Sequence, residues 1–118
     1  MTAPAFDETI HNPVRLRACA MLAGLESAAF PVLRDELGVS DSVLSKHLAT
    51  LEAAGYVSLA KATSDRRLRT SVSLTQTGRA AYASHVAALR LIVAGEGNIQ
   101  HGVRIRTALS GGCDMLAR

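Results

Sequence analysis

Apolar positions recur along the chain at helical spacing in four stretches and at strand spacing in two. Val14, Leu16, Ala18, Ala20, Met21 and Leu22 follow Asn12-Pro13, with Arg15 and Arg17 between them. Asn as N-cap and Pro at the first helical position predict a helix that closes at Gly24. Residues 25–30 read as a connector. Pro31 then opens a short helix with Val32, Leu33 and Leu37 on one face and Arg34, Asp35 and Glu36 on the other, ended by Gly38. Ser40 is the next N-cap, Asp41 complements the positive helix end, and Leu44, Leu48 and Leu51 form the apolar stripe of a helix over 41–54.

The period then changes. Tyr56-Val57-Ser58-Leu59-Ala60 and Thr70-Ser71-Val72-Ser73-Leu74 alternate with period two, on either side of the polar run Thr63-Ser64-Asp65-Arg66-Arg67. This predicts a β-hairpin. Thr75 is the N-cap of a longer helix over 76–94, where Tyr82, Val86, Leu89 and Val93 recur at spacings of 4, 3 and 4. The fold class expected is mainly α with a small β-hairpin (α+β). Two helices joined by Gly38-Val39-Ser40 form a helix-turn-helix, and the hairpin after it makes the head winged. The expected divisions are an arm (1–11), a winged helix-turn-helix head (12–75), a long dimerisation helix (76–94) and a Gly-rich tail (95–118), where Val103-Arg104-Ile105-Arg106 suggests a strand.

Composition supports this order. The chain has 118 residues, enough for one domain, with 48% hydrophobic residues, 20 Ala and 15 Leu. Both are strong helix formers. Aromatic residues make up only 3% of the chain, which argues against an all-β sandwich. There is no basic, apolar leader and no run of 18 apolar residues, so a soluble cytoplasmic protein with no membrane partner is expected.

Charge becomes informative once placed on the elements. The formal net charge is only +3. Lys61, Arg66, Arg67 and Arg69, against the single acid Asp65, concentrate the same +3 within nine residues of the hairpin. An exposed wing of this kind suits phosphates or a minor groove. Asp65 is expected to pair with one of its arginines. On the 41–54 helix, the face opposite the leucines carries Ser42, Val43, Ser45, Lys46, Ala49 and Thr50. Small, uncharged or basic side chains let a helix enter a major groove about 12 Å wide. A merely solvated face would carry acids and lysines at salt-bridge spacing. The stripe Tyr82, Val86, Leu89 and Val93 suggests pairing with a second copy, unless it is buried within the chain.

Other chemistry is sparse. Cys19 and Cys113 form no CxxC pair, and Cys19 reads as a small buried hydrophobe. His11, His47, His85 and His101, separated by 36, 38 and 16 residues, form no local metal-ligand pair. His47 reads as packed or phosphate-facing. No nucleophile elbow, zinc-protease or nucleotide-binding motif is present, so neither an enzyme nor a cofactor is expected.

The residues that organise this reading also resemble a family. His11 to Arg17, the run Leu37 to Leu48 through Leu51-Glu52-Ala53-Ala54-Gly55-Tyr56-Val57, and Ser64-Asp65-Arg66-Arg67 with Ser73-Leu74-Thr75 and Gly78-Arg79 resemble the heads of small stand-alone MarR-like and ArsR-like regulators. The resemblance implies a dimeric transcription factor, most often a repressor, on double-stranded DNA. It implies base and phosphate reading at Ser42, Val43, Ser45 and Lys46, and wing contacts at Arg66 and Arg67. Positions 37–42 lack the cysteine box of the metal-sensing members. Two other functions stay open: a winged-helix protein-interaction module, and a sensor of the same fold controlled by an unknown small molecule or by Cys19.

Overall fold

The computed structural model describes residues 3–95. Seven elements follow in order: α1 (Pro13–Ala23), β1 (Ala28–Ala29), α2 (Phe30–Leu37), α3 (Asp41–Ala53), β2 (Val57–Ser64), β3 (Arg67–Leu74) and α4 (Gln76–Ala94). The expected strand at 103–106, together with His101 and Cys113, lies outside the described residues. The first compact unit of the chain ends at Val86, within α4, and Ala87 begins a second.

The helix starts follow their caps. Asn12 Oδ1 accepts the N–H groups of Val14 (2.9 Å) and Arg15 (3.2 Å), and Pro13 occupies the first turn. Ser40 Oγ accepts from Val43 N–H at 3.2 Å, and Thr75 Oγ1 from Gly78 N–H at 2.9 Å. Each bond satisfies a donor that the helix itself cannot pair. Phe30, rather than Pro31, is the first residue of α2, and Gly38 ends it at φ 69°.

Two features differ from the sequence reading. The hairpin is part of a three-stranded antiparallel sheet of order β1-β3-β2, in which Ala28 pairs with Val72 and Ala29 with Ser71. The hairpin is also longer and its turn tighter than expected. Register runs from Val57↔Leu74 to Ser64↔Arg67, leaving only Asp65 and Arg66 in the loop. Both have positive φ, 51° and 66°, which is how a two-residue turn matches the strands' twist. Among the described residues no ion pair joins Asp65 to an arginine. The backbone of Asp65, not its carboxylate, shapes the turn.

The core lies under the helix-turn-helix. Leu22, Leu33, Leu44, Leu48 and Leu51 have at most 1% exposure, and Val57, Val72 and Leu74 close it from the sheet. Each buried leucine contributes about 2 kcal/mol. Cys19 is wholly buried, as a small hydrophobe would be. The N-terminal arm is not a free extension. Ile10 is fully buried in the same core, so the head begins before residue 12.

Candidate nucleic-acid interface

α3 turns its leucines inward and leaves Ser42, Val43, Ser45, Lys46, Ala49 and Thr50 exposed. Its first turn is rigidly set. Arg34 of α2 donates from Nε to Asp35 Oδ1 and from one terminal nitrogen to Asp41 Oδ1, both at 2.9 Å. The two carboxylates hold its guanidinium more firmly charged than usual. Asp41 is therefore engaged within the helix-turn-helix, consistent with a helix-start role. Ser40 Oγ lies 3.3 Å from Ser42 Oγ, and Thr50 Oγ1 donates to the Lys46 carbonyl at 3.2 Å.

His47 is half-buried on the flank of α3. Its Nδ1 lies 3.0 Å from a terminal nitrogen of Arg15. Arginine can only donate, so Nδ1 is the acceptor and His47 is neutral. Burial, then the Arg15 and Lys46 charges, lowers its pKa from the ordinary value. Arg15 also donates through Nε to the Thr9 carbonyl, tying the N-terminal arm to the flank of α3. Nothing in the sequence spacing marks this contact.

Lys61, Arg66, Arg67 and Arg69 are all exposed on the hairpin. A cleft of about 210 Å³ separates α3 from the hairpin, lined by Ser45, Ala49 and Glu52 on one side and by Leu59, Lys61 and Thr70 on the other. A second, of about 280 Å³, lies between the start of α2 and Arg67, Leu68 and Arg69. Arg67 and Arg69 thus line the second cleft, while Lys61 alone of the wing cations shares the first with the exposed face of α3. Glu52 is an acid in that space which periodicity alone did not mark.

The candidate pairing stripe divides. Tyr82 packs partly against the core of the head, and Val86 is half-buried. Leu89 is half-buried, while Leu91, Ile92 and Val93 are exposed, Val93 by 82%. Among the described residues, no group of three His, Cys, Asp or Glu side chains could hold a metal ion, and no helix is long and apolar enough to cross a membrane. Burial, followed by the Asp7 charge, pushes the Cys19 thiol up to about 11, against a smaller opposing effect of Arg15. Cys19 is therefore protonated at neutral pH, and a protonated thiol is a poor redox nucleophile.

A helix-turn-helix closed by a small sheet with a basic hairpin is a winged helix. The chain belongs to the winged helix DNA-binding domain family, which matches residues 14–93. Its family and fold are those of DNA-binding regulators rather than enzymes. It is 34% identical over 76 residues to an uncharacterized protein of Methanocaldococcus jannaschii, spanning 64% of this chain and 83% of that one. Its fold is similar to that of a transcriptional regulator homologue from Pyrococcus horikoshii, with a TM-score of 0.72 and 28% identity over 76% of this chain and 89% of that one. The transcriptional regulator BldR of Sulfolobus solfataricus shares the fold at a TM-score of 0.61 and 22% identity, over 75% of this chain and 66% of that one.

Proposed function

We propose that the protein regulates transcription, as a repressor, by binding a pseudo-palindromic DNA duplex as a homodimer. One observation carries the reading: the face of α3 with no free acid near its start borders a cleft whose far side is the hairpin, through Lys61, and the same hairpin exposes Arg66, Arg67 and Arg69. In this reading Ser42, Val43, Ser45, Lys46 and Thr50 enter the major groove. Lys61, Arg66, Arg67 and Arg69 contact phosphates or the minor groove. Val43 suits a thymine methyl and Lys46 a guanine edge or phosphate. Tyr82, Val86, Leu89 and Val93 of α4 form the pairing surface. A two-fold axis there sets two copies of α3 about one DNA turn apart, roughly 34–36 Å. The head-plus-helix division at residue 76 belongs to the same proposal.

Selection of bound duplexes from a random pool at stated salt tests it. The expected outcome is an inverted repeat with half-sites about 10 base pairs apart. Failure to enrich any sequence, with no salt-dependent binding to duplex, would sink the proposal and favour a protein-interaction winged helix.

A further inference from the structure

The contacts of the N-terminal arm with α4 form a relay of hydrogen bonds that has only one consistent arrangement of protons. Ala5 N–H donates to Ser84 Oγ at 2.7 Å, and Asp7 N–H donates to His85 Nδ1 at 2.9 Å. His85 is fully buried. A backbone N–H can only donate, so His85 Nδ1 carries no proton and the single proton of the neutral ring is on Nε2. That Nε2 lies 3.2 Å from His11 Nδ1. His11 must therefore accept there, and its own proton is on Nε2 at the exposed side of the ring. Phe6 covers the pair, its ring centroid 4.5 Å from that of His11 and 4.8 Å from that of His85.

We propose that residues 5–11 are a proton-released latch: the arm is held on α4 while His85 is neutral, and a proton taken up by its imidazole frees it. A proton on His85 Nδ1 sets two donors face to face at the Asp7 amide. The ring N–H this creates is buried and has no acceptor. Such an orphaned donor gives up its bond to water and gains none in return, which disfavours the attached arm.

The charged and titratable groups around His85 do not rescue the protonated form. The Asp7 carboxylate favours the protonated form through its charge, but its recorded bonds go to Tyr56 O–H (Oδ2, 2.6 Å) and Ile10 N–H (Oδ1, 3.1 Å) and not to either imidazole. Glu8 is exposed to water. Cys19 and Tyr56, which sense the Asp7 charge from α1 and from the start of β2, are both held protonated by burial or by the Asp7 bond. Burial and the neighbouring His11 outweigh the attraction of Asp7 and Glu8, so the His85 pKa is lowered. The arm is also anchored by Ile10 in the core, by the Asp7–Tyr56 bond, and through the Thr9 carbonyl and Arg15 to His47 on α3.

Amide hydrogen exchange on the full-length protein without DNA tests the latch independently of its function. Protection factors, corrected for the intrinsic pH dependence of exchange, are measured at pH 7.5 and 5.5. The Ala5, Asp7 and Ile10 amides should lose protection roughly tenfold, one pH unit below the ordinary imidazole value being a factor of ten per proton. The Val57 and Leu74 amides should stay protected. In His85→Asn, whose amide oxygen can accept the Asp7 N–H without titrating, the arm's pH dependence should disappear. Imidazole 15N shifts of the unmodified protein provide a second reading that needs no variant: both rings should be Nε2–H tautomers at pH 7.5. A Nδ1–H tautomer at His85, unchanged arm protection at pH 5.5, loss of arm and strand protection together, or a wild-type pH response in His85→Asn would each overturn the proposal.

Discussion

Gly78 lies so close to Tyr56 that a Cβ built on it would stand 2.0 Å from the Tyr56 carbonyl oxygen. The neighbourhood explains the crowding. Thr75 N–H donates to that same carbonyl at 3.0 Å, and Thr75 Oγ1 donates to the Gly55 carbonyl at 2.6 Å. The first turn of α4 is thus docked backbone to backbone against the start of β2. Arg79 extends the joint by donating to the carbonyls of Ala23 (3.1 Å) and Leu25 (2.9 Å) at the end of α1.

A methyl group at position 78 has no side chain to push aside, only backbone. Gly78→Ala is therefore expected to destabilise the protein by about 2–3 kcal/mol, at the upper end for overpacking, despite alanine's better helix propensity. Urea denaturation checks it. A neutral or stabilising result would show that α4 does not dock on Tyr56 in this way.

The wing prediction separates shape from charge. Arg66 holds φ 66°, a conformation that costs a residue with a Cβ about 1–2 kcal/mol. Arg66→Gly relieves that cost and adds about 1 kcal/mol of unfolded-chain entropy, so stability should hardly change. DNA binding should still lose one phosphate contact, lowering the slope of log affinity against log salt by about 0.9 unit. Arg67→Ala should act alike, because its exposed side chain has no structural partner to lose among the described residues. Salt titrations of both variants on one duplex decide the matter. An unchanged slope in both removes the wing from the interface.

Lys46 and Ser45 should behave differently from the wing. Both are exposed on α3, and base-edge contacts are worth about 1–3 kcal/mol of discrimination. Replacing either with Ala should relax preference at one position of each half-site, as read by repeating the selection. Uniform weakening across all sequences would place these residues on phosphates instead.

The elements legible in the sequence were those with local chemical punctuation. Asn12-Pro13, Ser40 and Thr75 announce helices because each supplies an acceptor or a preset φ at the helix start, and the structure uses each of them there. The wing tip was harder. At 61–63 and 67–69 both faces of the strands meet water, so nothing enforces alternation, and Asp65-Arg66 lacks the Asn-Gly signature of a two-residue turn. β1 is two alanines whose only mark is pairing with β3. His11 and His85 are 74 residues apart, and spacing cannot reveal a pair made by tertiary folding. The exposed residues of α3 were visible for the opposite reason: a leucine stripe at fixed period defines the other face by subtraction.

The pairing surface proposed on α4 makes a prediction that is independent of DNA. Val93 is 82% exposed, so a charge there costs the single chain nothing in burial. Val93→Glu should weaken self-association while leaving helicity unchanged, and lower the urea midpoint only as far as the lost association had stabilised the chain. Val86→Glu with Leu89→Glu should split the dimer fully, at some cost to folding because both are half-buried. Light scattering over a concentration series checks both, with circular dichroism as the folding control. If Val93→Glu and the folded double variant remain dimeric, the second copy pairs elsewhere.

Two histidines set the direction of the protein's acid response. The pKa values of His85 and His47 are both lowered, chiefly by burial. The unfolded chain, with imidazoles near 6.5, therefore binds protons at a higher pH than the folded one. Stability from these groups is complete above about pH 6.5 and is lost as pH falls from there towards the lowered folded values. The urea midpoint should accordingly decline between pH 7.5 and 5.5, before the carboxylates titrate. His47 is much less enclosed than fully buried His85, so His85→Asn should remove more of the decline than His47→Asn. Equal declines in the wild type and in both variants would assign the acid response to other groups.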